Sequence, residues 1–313
     1  MIETHQIADR ESWLRLRQAD VTASVAGALL DVHPYISKFA LWALKSGRVE
    51  ADPTDSPQLR RGRLLEPVAV EMLREERPRW KIEQPGVYLR DPTARLGATP
   101  DVYAYCRENG MGVVQIKTVE PNAFRRSWQG EDGAAEPPLW VVLQAIIEAH
   151  LSGAQWAAVA AMVVGFGIEM HIVPVPIHAG VIDRIKDETA AFWNMVAEGI
   201  EPQPDFNSDG AMLARLYSVD NGQEIDLSGD NYLPEILDER ENLKATAARC
   251  AARIEAIDAE IISKIGEHER AYLPGWKLSR PLIHRKAFSV DAADFRQLRV
   301  RRDNTKPIFE GSF

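Results

Sequence analysis

A short stretch of the chain combines an acid, a lysine and the pattern of two neighbouring strands. Within "GATPDVYAYCRENGMGVVQIKTV" (97–119), Asp101 begins one extended segment, and Gln115, Ile116 and Lys117 end the next. Alternation along a strand places Gln115 and Lys117 on one face, and Asp101 approaches both if the two strands pair in register. Phosphodiester hydrolysis needs a deprotonated water and neutralised phosphate charge, which carboxylate-bound Mg²⁺ and a lysine can supply. The stretch is therefore a candidate centre for that chemistry.

Two flanking helices add polar side chains to this candidate centre. Glu66 lies in the helix predicted before the strands, and Gln144 lies in the helix predicted after them. Glu148 follows Gln144 by one helical turn, so both can approach the same point. Each residue alone is typical of an ordinary exposed position. Their combination with Asp101 and Lys117 is far more specific.

The elements that must position these side chains are alternating helices and strands. Helices are predicted over "KFALWALKS", about 57–77 (with Pro67 implying a kink or restart), "PPLWVVLQAIIEAHLSG" and "IDRIKDETAAFWNMVAEG". Extended segments are predicted over "KIEQPGVYLR", "GATPDVYAY" and "MGVVQIKTV" as a meander, and over "AQWAAVAAMVV" and "IEMHIVPVPI" as a hairpin. The predicted fold class is α/β, with a mixed central β-sheet flanked by helices.

The chain divides by composition into two parts. Residues 1–210 hold the predicted sheet, and 211–313 are predicted as a linker, one long helix and a small β element. The linker is predicted from the Pro-, Asp- and Gly-rich composition of 200–230. In the long helix Ile236, Leu243, Cys250 and Ile257 recur every seven residues. This seam favours packing within the chain over a contact between subunits.

Composition narrows the functional class. The chain has 313 residues and only two cysteines, Cys106 and Cys250, which argues against a disulfide framework or a cysteine-held cluster. With no basic, apolar leader at its start, it is expected in the cytoplasm. The uncharged run 151–168 contains three glycines and is interpreted as core. The net charge of −9 disfavours DNA binding overall, but local basic tracks can hold phosphates: Arg60, Arg61 and Arg63; Arg125 and Arg126; Arg296 to Arg302.

The layout resembles the PD-(D/E)XK nuclease superfamily and, more closely, the phage lambda exonuclease-like, YqaJ-type viral recombinase family. The resemblance covers roughly residues 9–210. It rests on these stretches: "WLRLRQADVTASVAGALLDVHPYISKFALWALKSG", "RRGRLLEPVAVE", "GATPDVY", "VVQIKT", "LQAIIEAHLSGAQWAAVAAMV" and "FWNMVAEGIEPQPD". The long helix and "LPGWKLS" are similar to phage-type members.

The resemblance implies a role for each residue of the candidate centre. Asp101 and position 115 would be metal ligands, and Ile116 would offer its backbone carbonyl. Lys117 would serve the attacking water, and Glu66 would support a second metal or the water. The implied cofactor is Mg²⁺, with Mn²⁺ as a substitute.

Two further residues match the part of the family pattern that grips a 5′-phosphate. These are Arg17 and Ser24, although Ser24 or Thr22 would also serve as an ordinary helix cap. Gln144 matches the first position of the family's glutamine helix. Ile146 departs from the pattern, since many members have a second glutamine there.

Gln115 departs from the pattern where an acid is expected. A glutamine carbonyl can ligate Mg²⁺ but brings no negative charge. Three interpretations remain: a Glu→Gln change made to trap DNA, a natural enzyme in which Glu66 and Asp101 retain the metal, or a protein that binds DNA without cutting it. Because Asp101, Lys117 and Glu66 are kept together, the first two rank above the third.

The leading functional hypothesis is a Mg²⁺-dependent exonuclease that resects linear duplex DNA 5′ to 3′ for phage-type recombination. The resemblance implies double-stranded DNA ends, a single-strand annealing protein and a homo-oligomer, most simply a trimer, as partners, with no membrane. The alternatives are a phage-type endonuclease on the same core and a non-cleaving protein that binds DNA ends.

Overall fold

The fold is taken from a computed structural model, which describes residues 1–51, 56–287, 292, 294 and 296–300. The chain forms two compact units, 1–217 and 218–313. The first unit includes helix α7 (Gly210–Leu216), in a region predicted to be linker. The predicted basic residues Arg301 and Arg302 lie outside the described residues.

Helices of the first unit cover both faces of its β-structure. They are α1 (Arg10–Ala19), α2 (Lys38–Lys45), α3 (Pro57–Glu76), α4 (Pro121–Ser127), α5 (Leu139–Ser152), α6 (Ala179–Glu198) and α7, with a 3₁₀ helix at Ala26–Leu30.

Two sheets form the β-structure of the first unit. Its strands are β1 (Glu3–Gln6), β2 (Val21–Thr22), β3 (Lys81–Glu83), β4 (Val87–Asp91), β5 (Leu96–Ala98), β6 (Val102–Cys106), β7 (Gly110–Val119), β8 (Trp156–Val164) and β9 (Ile168–Val175). One sheet has the order β3-β6-β7-β8-β9, and the other has the order β1-β4-β5-β2. The first sheet is mixed. β7 pairs parallel to β8, whereas β3 and β6, β6 and β7, and β8 and β9 pair antiparallel. The predicted class, a mixed sheet flanked by helices, is confirmed.

The prediction of a three-strand meander over 81–119 is wrong. β4 and β5 leave the central sheet and pair with each other and with β1 and β2. Only β3, β6 and β7 of this region stay in the five-stranded sheet. β1 and β2 were not predicted, because strands of four and two residues give too little alternation to detect.

Helix ends agree closely with the local sequence signals. Ser37 caps α2, its hydroxyl accepting from the backbone N–H of Ala40 at 2.9 Å. Gly47, Gly153 and Gly199 follow α2, α5 and α6 with φ of 73°, 67° and 69°, the left-handed region that glycine adopts without strain. Pro67 lies inside α3, which continues to Glu76 without a restart.

The apolar run 151–168 is divided between the end of α5, strand β8 and the start of β9. From Ala157 to Val163 every residue of β8 is buried. The predicted hairpin is confirmed, since β8 and β9 pair antiparallel. Among the described residues, no helix is long and apolar enough to cross a membrane.

The second unit contains the long helix and the small β element that the sequence predicts. Helix α8 spans Leu233–Ile265, and strands β10 (Arg270–Leu273) and β11 (Trp276–Ser279) form an antiparallel hairpin. Ile236, Leu243 and Ile257 on the predicted seam are 37%, 62% and 38% exposed.

Candidate active site

Strand pairing brings Asp101 to the strand that carries Gln115 and Lys117. β6 and β7 are antiparallel, with Val102 opposite Val114, so Asp101 lies one residue beyond the last pair. The backbone N–H of Ile116 donates to Asp101 Oδ2 at 2.9 Å. The register that the sequence required is therefore present.

A chain of hydrogen bonds connects this strand end to helix α5. Lys117 Nζ donates to Gln144 Oε1 at 2.9 Å. Gln144 Nε2 donates to Gln115 Oε1 at 2.7 Å and to Glu148 Oε1 at 2.9 Å. Gln115 Nε2 donates to Asp101 Oδ2 and, at 3.1 Å, to the carbonyl oxygen of Ile116.

Lys117 and Asp101, at the two ends of this series of hydrogen bonds, determine the orientation of the side-chain amides of Gln144 and Gln115. An ammonium only donates, so Lys117 requires the oxygen of Gln144. Gln144 must then direct its NH₂ towards Gln115 and Glu148. Gln115 in turn must direct its oxygen towards Gln144 and its NH₂ towards Asp101. As it stands, Gln115 therefore offers Asp101 a donor and not a metal-binding oxygen.

Burial shifts the pKa of each ionisable group in this cluster. It raises the pKa of Asp101 to about 6, an effect that the charge of Lys117 and the hydrogen bond from Ile116 oppose. Burial lowers the pKa of Lys117, against the attraction of Asp101 and Glu148. Burial also raises the pKa of Glu148 well above its usual value, and Asp101 adds to that rise. Such displaced pKa values are typical of functional sites.

Glu148 is fully buried and has an unused acceptor. Its Oε2 makes no hydrogen bond, whereas Oε1 accepts from Gln144. A buried carboxyl oxygen without a partner is costly unless it serves the site around it. Its position one turn after Gln144 was visible in the sequence, but its complete burial was not.

All of the predicted site residues line one cleft with a volume of about 520 Å³. They are Arg17, Ser24, Glu66, Asp101, Gln115, Ile116, Lys117 and Gln144. Glu66 reaches it from α3 and accepts from Gln84 Nε2 at 3.1 Å. The charge of Glu66 acts to raise the pKa of Asp101, as expected for acids facing one space. The catalytic and phosphate-binding roles of these residues remain predictions.

Arg17 and Ser24 lie together in the cleft. Arg17 Nη2 donates to Ser24 Oγ at 3.2 Å, and Ser24 Oγ is 3.1 Å from the hydroxyl of Thr22. The guanidinium of Arg17 lies over the ring of Trp13, 4.4 Å from its centroid. Trp13 in turn donates to the hydroxyl of Thr99 at 3.0 Å. The planar guanidinium and a hydroxyl are a suitable donor pair for a phosphate.

A buried ion pair and a lysine hold the end of α1 that presents Arg17. Asp20 is fully buried, and its carboxylate accepts from Arg90 Nε at 2.9 and 3.0 Å and from the Tyr88 hydroxyl at 3.0 Å. Lys45 Nζ donates to the backbone carbonyl of Arg17 at 2.5 Å. The end of α1 is therefore held both at Arg17 and at Asp20, three residues later.

The oxygens around Asp101 fit one divalent cation. Asp101 Oδ2 and the Ile116 carbonyl oxygen both accept from Gln115 Nε2, so they converge on one point. Together with Glu66 they supply the hard oxygen donors that Mg²⁺ prefers, with waters completing its shell. Within the described residues, no group of three His, Cys, Asp or Glu side chains is arranged to hold a metal. The site therefore has fewer carboxylates than a metal site built from three acids.

Trp13 and Thr99 also line the cleft, although neither was predicted as a site residue. Trp13 precedes Arg17 by four residues, a spacing that puts both on one face of a helix. Thr99 lies two residues before Asp101, and nothing in the sequence at that position indicates a site residue.

Comparison with known proteins shows what the part of the chain around this cleft is similar to. The sequence profile of the YqaJ-like viral recombinase domain matches residues 12–155, which include every predicted site residue. The match covers 144 of the 313 residues and is to the family that the sequence motifs resemble. No curated protein matches this chain.

Solved structures with a similar arrangement are distant in sequence. An alkaline exonuclease, LHK-Exo, from Laribacter hongkongensis has 20% identity and a TM-score of 0.49, covering 65% of this chain and 100% of its own. LHK-Exo in complex with dAMP has 21% identity and a TM-score of 0.46 over the same shares. A SOX–DNA complex has 12% identity and a TM-score of 0.40, covering 63% of this chain and 70% of its own.

Proposed function

We propose that the chain is a Mg²⁺-dependent exonuclease that degrades one strand of linear duplex DNA from its 5′ end. The observation that supports this most strongly is the shared cleft. It places Arg17 and Ser24, suited to a terminal phosphate, beside Asp101 and Lys117, suited to hydrolysis of the next phosphodiester. An enzyme that reads a terminal phosphate and cuts nearby acts on ends.

The chain supplies the groups that the reaction requires. Asp101, Glu66 and the Ile116 carbonyl oxygen would hold Mg²⁺, with Mn²⁺ as a substitute. When bound, the ion would neutralise phosphate charge and lower the pKa of a bound water. Lys117, held by Gln144 Oε1, orients the attacking water and faces the phosphate. Burial lowers the pKa of Lys117, which makes loss of its proton easier.

Basic residues beside the cleft support contact with the DNA backbone. Arg60, Arg61 and Arg63 lie on α3, the helix that contributes Leu59, Gly62 and Glu66 to the cleft wall. Phosphate contacts of this kind supply affinity without sequence preference.

The function is tested by digestion of matched DNA forms with Mg²⁺. We expect linear duplex with 5′-phosphates to be degraded and covalently closed circles of the same sequence to remain intact, for this chain and for its Gln115→Glu variant. Cutting of closed circles by either protein would support the endonuclease alternative. If neither protein cuts while both bind ends, the non-cleaving alternative replaces the proposal.

The role of Arg17 in the same proposal is tested by binding, without cleavage. Without divalent metal, we expect Arg17→Ala to weaken affinity for 5′-phosphorylated ends by about 10- to 150-fold, since bonds to charged groups contribute about 1.5–3 kcal/mol. Arg15→Ala is the matched control, because Arg15 is exposed and pairs with Glu11 on the same helix. Equal loss in both variants, or equal affinity for 5′-hydroxyl ends, contradicts a phosphate site at Arg17.

We further propose a homo-oligomer, most simply a trimer, and delivery of the 3′ single strand to an annealing protein. The exposed apolar residues Ile236, Leu243 and Ile257 recur every seven residues on α8 and suit contact with another helix. We expect light scattering to give a mass above that of one 35.0 kDa chain. A monomer that remains processive contradicts the oligomer.

A further inference from the structure

The last turn of α1 is surrounded by more positive charge than its neighbouring acids neutralise. Four half-buried cations lie close to one another there: Arg17, Lys45, Arg90 and Arg95. The acids that pair with this group, Glu3 and the fully buried Asp20, both pair with Arg90. Within the described residues, the other three cations form no ion pair with a carboxylate. This part of the fold is therefore prepared for a negatively charged ligand.

Lys45 lies behind Arg17, on the neighbouring helix. It is the last residue of α2, and its Nζ donates to the backbone carbonyl of Arg17 at 2.5 Å. In return, Gln18 Nε2 donates to the carbonyl oxygen of Leu44 at 2.8 Å. Arg17 lines the cleft, whereas Lys45 does not. The side chain of Arg17 therefore reaches the cleft from a backbone that Lys45 holds.

Lys45 also acts on Arg17 through its charge. The pKa of Lys45 is lowered to about 8, mainly by burial and then by the charge of Arg17, while Asp20 opposes the shift. Because this value is above neutral pH, Lys45 keeps its proton there and repels the guanidinium. Holding two like charges together costs free energy. An anion bound at Arg17 offsets that cost.

A terminal phosphate offsets more of this repulsion than an internal phosphate does. A phosphate monoester carries a charge of about −1.5 to −2 at neutral pH, whereas each phosphodiester of the DNA backbone carries a single negative charge. Arg17 alone matches the charge of a phosphodiester. The additional charge of a terminal phosphate needs a second cation, and Lys45, bonded to the backbone of Arg17, is placed to supply it.

We propose that Lys45 is a specificity-determining residue, which holds Arg17 and supplies the second positive charge by which the cleft selects a terminal 5′-phosphate over an internal phosphodiester. This inference rests on the proposed function, since it requires a 5′-phosphate at Arg17 and Ser24. Lys45 acts through Arg17 and is thus a positioning residue, not a catalytic one. A site of this kind favours the end of a strand over its interior, as resection from an end requires.

The inference is tested by binding of the full chain to duplex ends without divalent metal. Three ends of one sequence are compared: 5′-phosphate, 5′-hydroxyl and 5′-methyl phosphate, which is a diester with a single negative charge. We expect the unaltered chain to bind the 5′-phosphate end about 5- to 30-fold more tightly than the 5′-methyl phosphate end, the effect of a unit charge at roughly twice the 4 Å of a direct contact. Lys45→Met should remove most of this difference and leave affinity for the 5′-hydroxyl end unchanged.

Two further variants control for charge and for the helix. Lys45→Arg keeps the positive charge and a donor, so it should retain the preference for the 5′-phosphate end. Lys38 lies on the same helix and pairs with Glu188 at 3.8 Å. Lys38→Met therefore removes the same charge from α2 away from Arg17, and it should change none of the three affinities.

The outcomes separate this inference from the function on which it rests. If Lys45→Met weakens binding to all three ends alike, Lys45 has only a structural role and the inference is wrong. The unaltered chain gives a test that does not depend on the folding of any variant. Equal binding of its 5′-phosphate and 5′-methyl phosphate ends, both tighter than the 5′-hydroxyl end, means that the phosphate site stands and the second charge is wrong. If it does not distinguish 5′-phosphate from 5′-hydroxyl ends, the proposed phosphate site fails and this inference fails with it.

Discussion

Replacing Gln115 with glutamate is expected to raise Mn²⁺ affinity by about 5- to 1,000-fold, because two opposite unit charges about 4 Å apart attract each other by about 1 kcal/mol in water and about 4 kcal/mol at an effective dielectric of 20. A carboxylate at position 115 is nearly isosteric with the amide that is now there. Gln144 Nε2 would still donate to one oxygen there, as it does to Gln115 Oε1 at 2.7 Å. The second oxygen would face Asp101 in place of the NH₂ that now does so.

Calorimetric titration with Mn²⁺ in the absence of DNA measures this effect directly. Digestion of 5′-phosphorylated linear duplex with Mg²⁺ is expected to rise in parallel. Lys117→Ala in the Gln115→Glu background is the control. It should reduce the cleavage rate by about 10²- to 10⁴-fold, as for loss of a group that handles the proton of the attacking water, and should not weaken Mn²⁺ binding.

Each outcome selects among the interpretations of Gln115. A large gain in both binding and cleavage means that position 115 is a metal ligand and that the present residue limits the enzyme. Equal binding and equal cleavage in the two chains means that Asp101 and Glu66 carry the metal, and the expected gain is wrong.

Local sequence patterns predict much of this site because strand alternation and helix spacing operate over few residues. Gln115 and Lys117 had to share a face, and the pairing of β6 with β7 then brings Asp101 to them. Local signals likewise give the ends of α5 and α6, since the stretches predicted as helices close at Gly153 and Gly199, which act on neighbouring backbone groups.

Features that depend on distant residues could not be predicted in this way. β4 and β5 belong to a second sheet because β4 pairs with β1, which lies more than 80 residues earlier in the chain. The orientation of the Gln115 amide depends on Lys117 through Gln144, on a helix that follows it. The burial of Glu148 is likewise decided by packing of α5 on the sheet and not by its neighbours in sequence.

The hydrogen-bond chain from Lys117 to Asp101 leads to a second prediction, in which one substitution has opposite effects in two backgrounds. Gln144→Met removes the NH₂ that holds Gln115 Oε1, with little change in volume and no change in charge. Gln115 is then free to turn its oxygen towards Asp101. A neutral hydrogen bond contributes about 0.5–1.5 kcal/mol, so Mn²⁺ affinity should rise by about 2- to 10-fold.

In the Gln115→Glu background the same change should not raise Mn²⁺ affinity. A carboxylate presents an oxygen to Asp101 whichever way it is turned. Gln144→Met therefore cannot expose a metal-binding oxygen that was hidden before. Loss of the bond from Gln144 leaves the carboxylate less well positioned and should lower affinity by about the factor seen for outer partners of metal ligands, roughly 10-fold or more. The effect of Gln144→Met on Mn²⁺ affinity is thus expected to have opposite signs in the two backgrounds.

Mn²⁺ titration of the unaltered chain, of Gln115→Glu, of Gln144→Met and of the double variant forms a double-mutant cycle that measures the coupling between positions 115 and 144. Gln129→Met is the matched control, since Gln129 is exposed and its side chain donates to the Gly133 carbonyl. If Gln144→Met lowers Mn²⁺ affinity in both backgrounds, Gln144 supports the metal site directly and the amide of Gln115 is not held away from it. If the sign reverses, Gln144 determines whether position 115 meets the cation with an oxygen or with an N–H group, and a carboxylate at 115 is the residue that this helix is built to orient.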